Sequence, residues 1–261
     1  MEKHNYEFIK TESQGHVFTV TINRPEVMNA LHPPAQQEMA VAWDFFAETE
    51  DLWVGIVTGA GPRAFSAGND LKYTAEHKGS LSFPSSGFGG LTNRFDLTKP
   101  IIAAVGGVAL GGGFEIALAS DIIVASENAS FGLPEPRVGL AALAGGMHRL
   151  PRQIGLKNAM ALMLTGRHID AAEAMRLGLV QEVCAPDQLM ERALAWAEEI
   201  CQCAPLSIRA SKESAMGGLG HTLKEAMGLN FDSLGRLFSS EDFVEGPRAF
   251  AEKRKPQWKG R

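Results

Sequence analysis

The chain has 261 residues, 45% hydrophobic and 21% charged, a composition that buries a sizeable core in one large domain or in a domain with a helical extension. Thirty acidic against 25 basic residues leave a net charge of −5, which excludes a general electrostatic drive toward nucleic acid or anionic membrane. Three cysteines exclude a disulfide framework, and neither an apolar leader in MEKHNYEF nor an apolar run of about 20 residues is present, so a cytoplasmic location without a membrane span is expected.

Residues 16–22 alternate apolar and polar and read as a strand, with Phe18, Val20 and Ile22 on one face. Pro33-Pro34 opens a helix to about Thr49 that carries Met39, Ala42, Trp43 and Phe46 on one side. A second strand at 53–58 ends at Gly59-Ala60-Gly61-Pro62. A tight loop at 65–70 follows, with Asp70 placed to cap a short helix. Residues 78–90 are rich in Gly, Ser and Pro and are expected to form a mobile surface loop. Strand 101–105, a turn of three glycines, a helix to about Ser120 and strand 121–125 come next. Strands alternating with helices predict an α/β domain with largely parallel pairing. Beyond residue 140 the strand signal fades except at Leu179–Val183. Helical patterns cover 145–164, 170–177, 187–202, 206–217, 221–237 and 240–254.

The run PIIAAVGGVALGGGFE, Pro100 to Glu115, carries the chemistry. The first N–H groups of a helix lack intrahelical partners, and Gly111, Gly112 and Gly113 leave them open to a ligand oxygen. Phosphate readings fail: Gly112 stands where a Walker loop needs lysine, and Ile116 where a dinucleotide fingerprint needs glycine or alanine. A second glycine turn, FSAGNDLK at 65–72, also joins a strand to a helix. The two turns either converge as an oxyanion hole or are ordinary tight loops. Glu115, in the first turn of its helix, is an acid/base candidate or a partner for the helix dipole. Glu135, held between Pro134 and Pro136, is an acid/base candidate or a solvated loop residue. His148 and His168 have no nucleophile partner, Cys201 and Cys203 read as reduced thiols in a helix, and no Cys/His cluster suggests a metal.

In order along nearly the whole chain, the segments INRPEVMNAL, AFSAGNDLK, KPIIAAVGGVALGGGFEIALASDIIVAS, ASFGLPEPRVGL, GGMHRLPRQIG, LTGRHIDAAEAMRLGLVQEV and AFAEKRKPQW resemble the crotonase family of enoyl-CoA hydratases and isomerases. The resemblance implies a ClpP-like α/β spiral of ββα repeats over residues 1–195. It also implies a helical region over 196–261 that serves trimerisation and part of the coenzyme A site. It implies an oxyanion hole from the backbone N–H groups of Asn69 and Gly112, and Glu115 and Glu135 as the two glutamates of the family's hydratases. Coenzyme A contacts are implied at Val27, Ala67, Leu71, Lys72, Phe250 and Lys253, the last two giving the basic C-terminus a use. The expected partner is an acyl-CoA thioester, with no separate cofactor and no metal, and the expected assembly is a homotrimer or a homohexamer of two trimers. The expected activity is enoyl-CoA hydration. The alternatives are a Δ3,Δ2-enoyl-CoA isomerase, a carnitinyl-CoA-type dehydratase and, from another class, a non-catalytic or RNA-binding member. Two departures bear on acyl specificity: Ala142-Leu143 where the family often has Pro-Gly, and Asn69 in place of the commoner alanine. Leu143, being bulky, is expected to reshape the acyl pocket.

Overall fold

A computed structural model describes residues 6–77 and 82–261. Residues 1–5 and residues 78–81 of the expected surface loop lie outside the described residues. Strand β1 (Ile9–Gln14) pairs antiparallel with β2 (Val17–Ile22) across Gly15, whose φ of +57° closes the hairpin. Helix α1 (Pro33–Glu48) follows a single 3-10 turn at Pro25–Val27.

Three similar units come next. The first is β3 (Val54–Gly59), β4 (Ala64–Ser66) and α2 (Leu71–Glu76). The second is β5 (Ile101–Val105), β6 (Val108–Leu110) and α3 (Gly112–Ala119). The third is β7 (Ile122–Ser126), β8 (Ser130–Gly132) and a 3-10 turn at Glu135–Val138. The first strand of each unit joins a six-stranded sheet, the second a four-stranded sheet. Within both sheets these strands run parallel, so the chain climbs as a spiral. The remaining elements are α4 (Gly146–Ile154), α5 (Leu156–Thr165), β9 (His168–Asp170), α6 (Ala171–Arg176), β10 (Glu182–Cys184) and α7 (Leu189–Cys201). They are followed by α8 (Pro205–Gly218), α9 (Leu223–Ala226), α10 (Asp232–Phe238) and α11 (Glu241–Ala251). The large sheet has the order β1-β2-β3-β5-β7-β10, and the small one β4-β6-β8-β9.

Both faces of the large sheet are covered. On one side Phe18, Val20 and Ile22 meet Trp43 and Phe46 of α1 and Phe114 of α3. On the other, Val54, Ile56, Ile102 and Val124 lie under Leu189, Ala193 and Ala197 of α7. Two-sided burial explains why β5 reads IIAAV, apolar at every position, where a half-exposed strand would alternate.

Several expectations change. β1 has only Ile9 fully inside and gives no alternating signal, so it was not expected as a strand. β4, β6, β8 and β9 are three residues each, too short for a periodic pattern. The helix expected over 145–164 breaks at Gly155, where φ is +78°, and the one over 221–237 is two short helices with a connector. Strand 179–183 shifts to 182–184, because Leu179 and Val180 are buried in a turn that reaches back to Ala174. Within the segment expected to be a mobile surface loop, Phe88–Gly90 is a buried 3-10 turn seated on α1 and α3, because Gly89 and Gly90 admit Ile116 and the Ala40 backbone at van der Waals range.

The expected division at 195/196 falls inside α7. Past it, the C-terminal segment is fastened by a buried carboxylate: Asp242 accepts hydrogen bonds from the backbone N–H groups of Lys259 (2.7 Å) and Gly260 (2.8 Å). Trp258 donates from Nε1 to Gln202 O at 2.7 Å, and Gly260 lies beside Pro205 and Trp53. This anchorage is at the start of β3. Leu223, Met227, Phe238, Val244 and Phe250 are exposed on the helices it holds. Among the described residues, no helix is long and apolar enough to cross a membrane.

Candidate active site

The two glycine turns meet. A Cβ on Gly68 would lie 2.6 Å from Leu110 O and 2.9 Å from Gly112 N, so the chains touch at a distance only glycine allows. Gly68 also has φ +86°, outside the range of other L residues. The three consecutive glycines answer to three different neighbours. Cβ atoms there would fall 3.1 Å from Glu135 Oε1 at Gly111, 2.5 Å from the Phe88 ring at Gly112 and 2.2 Å from Ser66 O at Gly113.

Each turn presents a backbone N–H without a hydrogen-bond partner among the described residues, Asn69 in the first and Gly112 in the second. Asn69 forms an isolated parallel bridge with Leu31, in which Leu31 N donates to Gly68 O (2.8 Å) and Asp70 N donates to Leu31 O (3.1 Å). In a parallel bridge this leaves the paired residue's own N–H pointing the other way. Gly112 is the first residue of α3, where helix geometry leaves its N–H unpaired. Behind Asn69, buried Asn29 donates from Nδ2 to Ala60 O (3.0 Å) and Ala64 O (2.7 Å) and accepts from Arg24 N (3.0 Å) at Oδ1. Ser66 Oγ donates to Asn29 O (2.8 Å) and accepts from Gly68 N (3.1 Å). Asp70 accepts from Tyr73 N (3.1 Å) as the cap of α2 and pairs with Arg24 at 3.0 Å. Segment 24–31 therefore clamps the upstream turn. The Asn69 side chain is turned aside, donating to Thr74 Oγ1 at 2.9 Å.

Both glutamates stand at this junction. Glu115 is 3% exposed, and its Oε1 accepts from Gly146 N at 2.8 Å. Burial pushes its carboxyl up to about 7, the nearby Glu135 charge adds to the rise, and hydrogen bonds from the Gly146 and Ala144 backbone together with the Arg149 charge oppose it. Burial also raises Glu135, whose Oε2 is enclosed with no hydrogen-bond partner among the described residues. Neither side chain is a solvated surface group, and Glu115 is more than a helix-dipole partner. A carboxyl raised to about 7 beside a second one that burial also raises is suited to acid–base chemistry, one accepting a proton and the other giving one.

The other expected residues divide. Val27, Ala67, Leu71 and Lys72 lie at the same end of the large sheet as the glycine turns: Val27 in the clamp, Ala67 bonded from its N–H to Met28 O, and Leu71 and Lys72 exposed on α2. Phe250 and Lys253 are exposed at and just beyond the C-terminal end of α11. Leu143 is 68% exposed, and Ala142 beside it is buried against Gly146. His148 and His168 are both exposed. A groove of about 700 Å³ between Glu12, Thr19, Thr58 and Leu189 is on the α7 side of the sheet, away from the glutamates. Sequence reasoning missed Gly68, Asn29, Phe88 and Gly146 as parts of the site. The glycine pair Gly145-Gly146 was the available signal for the last.

Two adjoining glycine turns with unpaired backbone donors, beside one buried and one half-buried carboxyl, can hold a developing negative charge while protons move. The chain belongs to the enoyl-CoA hydratase/isomerase family, the crotonase superfamily, whose pattern matches residues 12–261. It is 41% identical over 254 residues to the carnitinyl-CoA dehydratase of Proteus mirabilis, covering 95% of this chain and 97% of that one. Against the carnitinyl-CoA dehydratase of Salmonella typhimurium the identity is 43%, over 95% and 96% of the two chains. The crystal structure of enoyl-CoA hydratase from Mycobacterium tuberculosis superimposes with a TM-score of 0.91 at 38% identity, over 97% of this chain and 99% of that one.

The raised Glu115 carboxyl has a consequence for stability. Between about 4.5, its ordinary value, and about 7, the unfolded chain has released this proton and the folded protein still holds it. Stability therefore falls as pH rises through that window, by about 3 kcal/mol at most from this group. Glu115→Gln keeps an acceptor for Gly146 N and removes the penalty. Thermal unfolding of the variant should match wild type at pH 5 and exceed it at pH 8; equal melting temperatures at both pH values would contradict the assignment.

Proposed function

We propose that the protein catalyses the reversible addition of water across the 2,3 double bond of a 2-enoyl-CoA thioester. The observation that carries this reading is the pair of carboxyls, buried Glu115 and half-buried Glu135 with its enclosed Oε2, at the junction of the two glycine turns. The thioester carbonyl accepts hydrogen bonds from Asn69 N–H and Gly112 N–H, which makes C3 electrophilic. Glu115, ionised, takes a proton from water as the oxygen attacks C3. The enolate charge rests on the two backbone dipoles and the positive end of α3. Glu135, protonated, delivers its proton to C2; its enclosed, unpartnered oxygen takes its hydrogen-bond partner from the substrate. In reverse the two carboxyls exchange protonation states, so one site serves hydration and dehydration. No separate cofactor takes part, since coenzyme A belongs to the substrate. Val27, Ala67, Leu71 and Lys72 would contact the coenzyme A moiety. Phe250 and Lys253 would reach such a moiety from a neighbouring subunit, and a homotrimer or a pair of trimers would cover the apolar side chains exposed on α9–α11.

The high identity to carnitinyl-CoA dehydratases over almost the full length supports a second reading, dehydration of carnitinyl-CoA by the same residues. Purified protein mixed with crotonyl-CoA, carnitinyl-CoA or a 3-enoyl-CoA separates the cases. Loss of the conjugated enoyl absorbance with crotonyl-CoA supports the hydratase, and its appearance only with carnitinyl-CoA supports the dehydratase. Turnover of the 3-enoyl-CoA alone would replace both with an isomerase.

A further inference from the structure

Arg149 belongs to none of the roles assigned so far, yet its guanidinium is directed into the site's frame. It lies in the first turn of α4, with Nη2 donating to Thr92 O at 2.8 Å and Nη1 directed at Ala144 O at 3.5 Å. The guanidinium carbon is 5.6 Å from the centre of the Phe95 ring. Gly145, at φ +104°, makes room for it: a Cβ there would fall 2.1 Å from Arg149 Nη1. Both contacts lead to the reaction centre. Ala144 and Gly146 supply the backbone donors of the Glu115 carboxylate, so the turn that holds Glu115 from one side is held by Arg149 from the other. The Thr92 hydroxyl accepts from Phe88 N at 2.8 Å, and the Phe88 ring is the wall against which Gly112 is pressed.

We infer that Arg149 is a positioning residue that locks the Ala144–Gly146 turn to the Phe88–Thr92 segment, setting Glu115 and the Gly112 donor in one geometry. The inference rests on the role of Glu115 as the base for water. The charges acting on Glu115 are Glu135, which disfavours its ionised form, and Arg149, which favours it. Arg149 itself is half-buried, and Glu115 is the charge that acts on it. Arg149 therefore has two separable contributions. Its planar fork bridges two carbonyls, which an ammonium cannot reproduce, and its charge biases the protonation of the carboxyl.

Two variants separate them. Arg149→Lys keeps the charge and loses the fork: kcat should fall about tenfold or more with KM changed less than about twofold, because misplacement of a reacting group acts on the chemical step. Its pH–rate profile should stay in place. Arg149→Gln loses both: kcat should fall further, and the ascending limb of the profile should move to higher pH by about half a unit or more. Arg152→Gln removes an exposed guanidinium from the same helix and should change neither quantity. An activity-free measurement runs in parallel: the pH-dependent fall in melting temperature linked to Glu115 should extend to higher pH in Arg149→Gln. If wild-type protein hydrates no enoyl-CoA, the functional reading fails, and this melting profile alone decides whether Arg149 acts on Glu115. Should Arg149→Gln not fold, Arg149→Lys carries the test. Wild-type kcat in Arg149→Lys, or lowered melting temperatures with kcat, limb and melting profile unmoved, would reduce Arg149 to a structural brace and overturn the inference.

Discussion

Glu115→Gln and Glu135→Gln are each expected to lower kcat for hydration by about 10²–10⁴-fold, the range for loss of a positioned acid or base. Affinity for the thioester should change little, because the backbone donors and the coenzyme A contacts remain. Glutamine fits both positions sterically and can accept the Gly146 hydrogen bond, so the loss reports protonation chemistry rather than collapse of the pocket. The double variant should be scarcely slower than the worse single one, since residues that act in one transition state do not contribute additively. A second reaction separates the roles. Exchange of the C2 proton of a saturated acyl-CoA with deuterated water requires the enolate and an acid/base at C2, but no attack by water. It should persist in Glu115→Gln and cease in Glu135→Gln. Persistence in both variants, or loss in Glu115→Gln alone, would exchange or cancel the assigned roles.

The pH dependence of the wild-type reaction follows from the same pair. One carboxyl must be ionised and the other protonated, so activity should pass through a maximum whose limbs belong to the pair rather than to either residue. With Glu115 held up to about 7 by burial and by the Glu135 charge, and Glu135 also raised by burial, that maximum should lie above the acid range of ordinary carboxylates.

The sequence reading recovered α1, β2, β5 and α3 because each presents a strong period or an unbroken apolar run bounded by Gly or Pro. It singled out Gly112, Glu115 and Glu135 because a glycine turn at a helix start and a proline-flanked carboxyl are local features, and the fold gathers the three at one junction. What it lacked is non-local. That Gly68 touches Gly112, that Asn29 ties residues 60 and 64 together, and that Phe88 walls the glycine helix are contacts between segments about 24–44 residues apart, and no short window of sequence contains both partners. The segment 82–90 misled for a related reason. Glycine there signals close approach to Ala40 and Ile116, whereas composition alone equates glycine with exposure. The three-residue strands are legible only as a consequence of the spiral, since each is specified by its neighbour in the small sheet and not by its own side chains.

The convergence of the two turns yields the other large effect. Gly68→Ala is expected to lower kcat by about 10²–10³-fold, comparable to removing one oxyanion donor. The new methyl would lie 2.6 Å from Leu110 O and 2.9 Å from Gly112 N, both main-chain atoms that cannot rotate away. The only relief is separation of the turns, which pulls Asn69 N–H and Gly112 N–H off a common oxygen. Alanine at φ +86° adds about 1–2 kcal/mol of backbone strain, so a modest fall in melting temperature should accompany the kinetic loss. Asn69→Ala is the matched control. It removes the side chain adjacent to the donor and its bond to Thr74 but leaves the N–H and the Leu31 bridge in place, and kcat should stay within about twofold of wild type. Large against small at neighbouring positions is the signature of a main-chain donor, because a side-chain donor at Asn69 would give the opposite order. If Asn69→Ala is the slower of the two, the oxygen is held by the amide side chain, and the free N–H of the parallel bridge has no part in the reaction.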